Sequence, residues 1–394
     1  MRNISFKHAT GLLALSLITF TACMPSAQPV ENPVGKTCGP AVYQFPADLY
    51  PFTDRCVDLG YGDYHYFDES PSGTLKGTVL MVHGNPTSSF LYRKVALNLK
   101  GAGYRVIAMD HYGFGESAKP PLDKFSYRPS DHAAMLVKFV DALNLKDVSL
   151  VVQDWGGPTG LAMAVQRPER IKNLVIMNTW AWQLNAADLN SVYGSLVGWS
   201  LSNQDPQNSA TFIATGQIAS GGGMLIASGY PEPLATRIRE AYSGPFIDPA
   251  TKKPYTPTVA APTNIFARSI LEDTAIFKTL GDLKPIANKP VYFLFGQLDQ
   301  NFGALLAKPD GTCAKGDGTV PAPSTPLGPA NWCTQGGAFI YPYVDRFVSL
   351  WNPAQIKGKE INNGEGFNPL GGHFIQEYAP DRIATAVEEL SKAR

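Results

Sequence analysis

Val148-Ser-Leu-Val-Val-Gln-Asp-Trp-Gly-Gly-Pro-Thr-Gly160 decides the fold. Val148 to Val152 is apolar and β-branched, the mark of a buried strand. Gln153-Asp154-Trp155-Gly156-Gly157 follows without a spacer, and Leu161-Ala-Met-Ala-Val165 continues with a helical pattern. Strand, very tight turn and helix make a nucleophile elbow. Small residues after the apex let the strand and helix backbones approach closely. The usual apex is the serine of G-x-S-x-G; this chain has Asp154 there. The bland alternative for Asp154 is a structural carboxylate capping the elbow helix.

Outward from the elbow, strands and helices alternate. Residues 62–68 alternate like a strand, and Gly77-Thr-Val-Leu-Met-Val-His83 is a continuous apolar run, as in a strand buried on both faces. A helix over 88–100, a strand over 105–110 and a helix over 131–143 follow. In the last, Met135, Leu136, Phe139, Val140 and Leu143 mark one apolar face, and Ser130 suits the N-cap. A strand at 171–177 comes after the elbow helix. Such alternation implies a parallel sheet with helices on both faces. It stops at residues 181–284, which hold helix-like and loop-like pieces, including Gly221-Gly222-Gly223 and a Pro-rich patch from Pro245 to Pro262. A strand at 291–295 resumes the sheet, so 181–284 reads as an inserted, mainly helical cap on a core of 57–180 and 285–394. Residues 301–340 form a Gly/Pro-rich excursion, and a terminal helix buries Ile383, Val387 and Leu390.

The 394 residues, 44% hydrophobic, allow a large core. Lys+Arg 33 against Asp+Glu 33 leaves no basic excess, so nucleic acid is a poor partner. Charged residues at only 17%, with 37 Gly and 32 Pro, suit a loop-rich protein outside the cytoplasm. The N-terminus points the same way. Arg2 and Lys7 precede an apolar run, Gly11 to Phe20, too short to span a bilayer, and Thr21-Ala22-Cys23 follows. Residues 1–23 resemble a bacterial lipoprotein signal with Cys23 as the lipidated residue, which would anchor the protein to a membrane; Phe20 stands where leucine is usual. The alternative is an ordinary secretory signal cut nearby. Either way the expectation is export, to the periplasm or cell envelope. Residues 24–56 read as a Pro-rich tether and N-terminal extension. Setting Cys23 aside leaves Cys38, Cys56, Cys313 and Cys333, which allow three pairings. The local one, Cys38–Cys56 with Cys313–Cys333, closes two short loops, each contributing roughly 3 kcal/mol. Disulfides persist in an oxidising compartment. No C-x-x-C pair suggests a metal site.

A carboxylate apex bears on the chemistry. Asp is ionised at neutral pH, with an ordinary pKa of about 3.9, and needs no base to attack. Attack at a saturated carbon gives an ordinary ester, whereas attack at an acyl group gives an anhydride. Asp154 therefore favours displacement at an alkyl halide or an epoxide. The ester must then be hydrolysed. His373, after Gly371-Gly372 and late in the chain, suits the base. His65, His111 and His132 have core or surface readings, His83 a structural one, and His8 lies in the signal. The acid that orients His373 belongs at one of two strand ends. Met177-Asn178-Thr179-Trp180 has no carboxylate there; Gly296-Gln297-Leu298-Asp299 has one, so Asp299 is the choice, against a turn Asp. The backbone N–H groups of Asn85 and Trp155 can form an oxyanion hole. Their side chains, an amide and an indole N–H, are neutral donors suited to a departing halide. Packing for Trp155, and a turn before Pro86 for Asn85, are the alternatives.

Together these residues resemble the haloalkane dehalogenases of the α/β-hydrolase superfamily. The matching pieces are His83-Gly-Asn-Pro-Thr-Ser-Ser-Phe-Leu-Tyr-Arg93, Asp110-His-Tyr-Gly-Phe-Gly-Glu-Ser117, Val151-Val-Gln-Asp-Trp-Gly-Gly157, Asp299 and Gly372-His-Phe-Ile-Gln-Glu377. The likeness covers about 57 to 394 outside the cap and the excursion. It implies an α/β-hydrolase fold with a mostly parallel eight-stranded sheet. It also implies a small apolar halogenated substrate, halide and water as the other partners, and no cofactor. Asn85 with a late Asp299 looks like the subgroup whose triad is Asp-His-Asp and whose halide pair is Asn and Trp. The lipoprotein-like start and the cysteine-bracketed excursion depart from the family. Two alternatives stand. An epoxide hydrolase shares the Asp nucleophile and draws its ring-opening acids from cap tyrosines, for which Tyr193, Tyr230, Tyr242 and Tyr255 are available. A non-catalytic lipoprotein could keep the fold for binding.

Overall fold

The sheet is built from β1 (Asp54–Asp58), β2 (Asp63–Glu69), β3 (Gly77–Val82), β4 (Tyr104–Met109), β5 (Val148–Gln153), β6 (Ile171–Met177) and β7 (Val291–Gly296). A two-stranded hairpin, β8 (Thr334–Gln335) with β9 (Ala338–Phe339), stands apart, and β10 (Ile356–Asn362) completes the sheet. The structure is a computed structural model describing residues 35–39, 43–190, 193–205, 230–247, 251, 257–296, 299, 334–335, 338–339, 342–362 and 372–392. The signal with Cys23, the tether up to residue 34, and the Cys313–Cys333 pair lie outside the described residues.

Strand order is β1-β2-β4-β3-β5-β6-β7-β10. β4, β3, β5, β6, β7 and β10 run parallel, and β1 and β2 add an antiparallel edge. Every residue of β5 and β7 is buried. That is why their sequences are continuous apolar runs and not alternating ones. The helices are α1 (Arg93–Gly101), α2 (Pro129–Ala142), α3 (Gly156–Gln166), α4 (Gly194–Ser202), α5 (Leu234–Ser243), α6 (Pro257–Glu272), α7 (Thr274–Leu280), α8 (Lys284–Ala287), α9 (Pro342–Leu350), α10 (Ile375–Tyr378) and α11 (Pro380–Lys392). α1 packs on α11, and α2 packs on α3. From α11, Ile383, Val387 and Leu390 are buried, as their spacing predicts. Between β6 and β7 the described residues contain helices and no strand.

The chain leaves β3 for β4 on one side and returns past β3 to β5 on the other. The sheet therefore changes winding direction between β3 and β5. In open parallel sheets the crevice at the carboxyl ends of such a pair is where ligands bind. His83-Gly84-Asn85 leaves the end of β3 there, and Asp154 leaves the end of β5.

Three expectations need correction. The folded part starts before Val57. β1 begins at Asp54, and Phe45 and Tyr50 are buried against Phe90 and Phe67. An edge pair with an open apolar face needs cover, and these aromatics supply it. Cys38 and Cys56 are joined as a disulfide, which fastens the segment to β1. Ser130 is not an N-cap: Arg128 holds that position and Pro129 opens α2. Proline's fixed φ suits the first helical position, and the Ser130 N–H is met by Asp273 at 2.8 Å. Lastly, the helix expected from 88 starts as a 3-10 turn, Ser89–Tyr92, before α1.

Candidate active site

Asp154 stands at the elbow with φ +51, a left-handed conformation costly for a non-glycine residue. Local bonds hold it there. Its N–H donates to Asn178 O at 2.9 Å, and its carbonyl accepts from Gly157 N at 2.8 Å and Thr179 Oγ1 at 2.6 Å. The turn also requires close backbone approach. A Cβ on Gly156 would lie 2.1 Å from Val82 O, and one on Gly84 would lie 2.3 Å from Asp154 Oδ1. Neither position admits a side chain.

The Asp154 carboxylate is buried and accepts from the Asn85 N–H, on Oδ1 at 2.7 Å, and from the Trp155 N–H. The two backbone donors that the sequence suggests for an oxyanion hole therefore hold the nucleophile candidate's own carboxylate. Burial pushes its pKa up to about 6, against the pull of His373 and the two N–H donors. The group is thus ionised at neutral pH by a narrower margin than a solvent-exposed Asp.

His373 brings Nε2 to 3.8 Å from Asp154 Oδ2, and Nδ1 to 2.8 Å from Asp299 Oδ2. Burial works against its positive charge, but Asp299 and then Asp154 outweigh it and hold the imidazole above its ordinary pKa. Asp154, His373 and Asp299 thus come together from three separate loops. Asn178 joins them, a residue that drew notice in the sequence only for not being a carboxylate. It follows β6 with φ +35. Its Nδ2 donates to Asp299 Oδ2 at 2.6 Å and to Gly372 O at 3.3 Å, and its Oδ1 accepts from Gly296 N at 2.9 Å. One amide thereby ties β6, β7 and the His373 loop. A polar residue closing a buried strand at the site end of the sheet was the available signal.

The Trp155 side chain is buried, with its ring 4.7 Å from Trp180 and 5.4 Å from Phe266 of α6. Its Nε1 donates to no described residue. A buried indole N–H without an acceptor is costly unless something else supplies one. The Asn85 amide donates once, to Thr263 O of α6 at 3.2 Å, leaving its second N–H for another acceptor.

Other polar groups fall elsewhere. Tyr230 and Tyr242 donate to Glu377, at 2.5 Å and 2.6 Å, and not to Asp154. Tyr193 meets Arg346, and Tyr255 lies outside the described residues. Glu377 is buried four residues after His373, and both its oxygens also pair with Arg93. His83 bridges Gly84 O and the His111 N–H, which gives it a structural place.

The family described as alpha/beta hydrolase fold matches this chain over residues 77–208. Haloalkane dehalogenase 2 of Mycobacterium tuberculosis is 42% identical over 134 residues, 34% of this chain and 44% of that protein. Haloalkane dehalogenase of Mycolicibacterium paratuberculosis is 32% identical over 206 residues, 50% of this chain and 62% of that one. Cis-3-alkyl-4-alkyloxetan-2-one decarboxylase of Shewanella oneidensis is 34% identical over 203 residues, 50% and 59%. The chain thus spans about half the length of the relatives it matches. Among solved structures, a haloalkane dehalogenase from Paraglaciecola agarilytica NO2 superposes with a TM-score of 0.58 at 23% identity, covering 88% of this chain and 97% of that one. One from Bradyrhizobium elkanii gives 0.58 at 20%, covering 86% and 96%. Sheet order, elbow and these superpositions agree: the chain has the α/β-hydrolase fold, and over its core it is similar to haloalkane dehalogenases.

Proposed function

We propose that this protein is a haloalkane dehalogenase of the subgroup with an Asp-His-Asp triad and an Asn/Trp halide pair. The supporting observation is the environment of Asp154: its carboxylate held by the Asn85 and Trp155 N–H groups, the first on Oδ1, with Oδ2 facing His373 Nε2. Oδ2 attacks the halogen-bearing carbon; the carbon–oxygen bond forms as the carbon–halogen bond breaks, and halide leaves with the electron pair. The Trp155 indole N–H and the remaining Asn85 N–H meet that halide. Their contribution grows as the charge develops, so it lowers the barrier. His373 then takes a proton from water, and the hydroxide attacks the ester carbonyl. The resulting oxyanion is Oδ1, already seated on the Asn85 N–H, with the Trp155 N–H also donating to this carboxylate. Collapse breaks the acyl–oxygen bond, and the imidazolium returns its proton to the departing alkoxide. Alcohol, halide and one proton are released. Asp299 orients the imidazole and stabilises its charge, and Asn178 holds Asp299.

The reaction draws on no metal or organic cofactor. Residues 181–284 act as a cap over the site. Residues 1–23 are read as a lipoprotein signal, with Cys23 anchoring the protein to a membrane in the periplasm or cell envelope and Cys313–Cys333 forming a second disulfide.

The test is trapping. His373→Phe protein, given 1,2-dibromoethane and weighed intact, is expected to carry one bromoethyl group, mapped to Asp154 by peptide sequencing. An unlabelled protein, with turnover of styrene oxide or of a β-lactone by the unmodified enzyme, overturns the reading. Both of those rings also offer a saturated carbon to a carboxylate. For an epoxide the described tyrosines are poorly disposed, since Tyr230 and Tyr242 are spent on Glu377.

A further inference from the structure

Gln153 ends β5, one residue before the elbow apex, and is fully buried. The reaction as written does not use it. Its Nε2 donates to the backbone carbonyl of His373 at 3.0 Å and lies 3.2 Å from His373 Nε2. The first contact fixes the amide's orientation, because turned over it would set one oxygen against another. One N–H is thus held on the carbonyl and the second is presented to the imidazole. Across the ring, Nδ1 faces Asp299 Oδ2 at 2.8 Å. A carboxylate only accepts, so Nδ1 carries the proton and Nε2 of the neutral ring is the acceptor. The Gln153 donor matches that neutral form alone. An imidazolium would turn its Nε2–H against the amide N–H. A hydrogen bond made to the neutral form of a group disfavours its charged form.

We propose that Gln153 is a further functional residue of this site: its carboxamide locks His373 in the Nδ1–H tautomer and keeps the ring neutral, its N–H holding the Nε2 lone pair until a water O–H takes its place. The groups facing the ring from other elements pull the opposite way. Asp299 after β7 and Asp154 at the elbow, 3.8 Å from Nε2, both favour the charged ring. Gln153 is the counterweight, placed on the one nitrogen that must stay unprotonated. Its effect on turnover rests on the dehalogenase reading, since ester hydrolysis is the step that needs a neutral His373.

The test reads the ring directly. The full chain, labelled with nitrogen-15 in its histidine rings, is titrated by NMR. The unmodified protein is expected to show His373 with Nδ1 protonated and Nε2 bare. Gln153→Met removes the donor at similar volume and is expected to raise the His373 midpoint by about one pH unit. Gln153→Glu, with a carboxylate opposite Nε2, is expected to raise it further. With a bromoalkane, the low-pH limb of ester hydrolysis should move up by the same interval. An Nε2–H tautomer in the unmodified protein overturns the proposal, as does an unchanged midpoint in Gln153→Met. Because Asp299 alone also favours the Nδ1–H tautomer, the midpoint shift in the variants decides, and Gln153→Leu, read the same way, replaces Gln153→Met should that variant not fold. The titration needs no turnover, so failure of the dehalogenase reading leaves it interpretable.

Discussion

Asp154 carries a cost that the fold tolerates. Its pKa is raised to about 6 by burial, so the folded protein binds this proton more tightly than the unfolded chain does. Such a group adds stability below its unfolded pKa and loses it as pH rises through the folded value. At pH 7 the ionised carboxylate therefore weakens the fold. Asp154→Asn, which keeps the shape and removes the charge, is expected to stabilise the protein by on the order of 2 kcal/mol at pH 7, and by little near pH 3. Urea midpoints at the two pH values check this; a less stable variant at pH 7 contradicts it. The same proton sets the first chemical step. The alkylation rate, read as burst halide release, is expected to fall about tenfold per unit below pH 6. Sequence made Asp154, Asn85, Trp155, Asp299 and His373 legible, because strand ends and chain order announce them. It hid Asn178, whose partners Asp299 and Gly372 lie 121 and 194 positions away in the chain. An amide reads as a plain strand end until the loops it joins are seen together.

At the scale of elements, Glu377 is where three pieces meet. Arg93 comes from α1, Tyr242 from α5, and Glu377 from α10, which directly follows the His373 loop. Arg93 and Glu377 are both buried. Glu377→Gln leaves the guanidinium buried without its countercharge and is expected to cost about 3–5 kcal/mol. Tyr242→Phe removes one donor from a carboxylate that keeps others, and is expected to cost about 1–2 kcal/mol. Equal losses in the two variants would show that charge pairing is not what holds this junction. The Cys38–Cys56 link, with a sequence separation of 18, is expected to contribute about 3 kcal/mol. The thermal midpoint of Cys38→Ser against the parent measures it. The edge strands were the hardest elements to read. β10 runs Ile356-Lys-Gly-Lys-Glu-Ile-Asn362, with charges at nearly half its positions, and pairs along one side only. β1 likewise mixes Asp54, Arg55 and Asp58 with two buried residues. Buried central strands write themselves as apolar runs, whereas edges do not.

Across the whole molecule, pH acts through histidines far more than through net charge. His83, His111 and His132 form a buried row, with ring centroids 4.7 Å and 4.8 Å apart. Burial holds all three below the ordinary imidazole range, His111 and His132 well below it. Their contribution is present above the unfolded value near 6.5 and is lost as pH falls below it. His65 runs the other way. Burial opposes its charge, but Asp110 beside it prevails and raises it to about 10, so its contribution fades as pH rises toward that value. Stability is therefore expected to fall below pH 6.5, because unfolding lets up to three protons onto these histidines while Asp154 and Glu116, both raised by burial, give up about one each, leaving a net uptake of about one near pH 5.5. The pH dependence of urea unfolding measures this count, and a net release of protons there contradicts it. The organisation at this scale was legible through the β-α alternation and its interruption after β6. The site was legible because the winding of the sheet reverses between β3 and β5, where Asn85 and Asp154 emerge.

The central claim is that the oxygen of the product comes from Asp154. A single turnover of enzyme in excess over 1-bromobutane, run in oxygen-18 water, tests it most directly. The account predicts unlabelled butanol, with one oxygen-18 atom left in the Asp154 carboxylate. Labelled butanol with an unlabelled Asp154 would mean that water displaces the halide itself, and the account would be wrong.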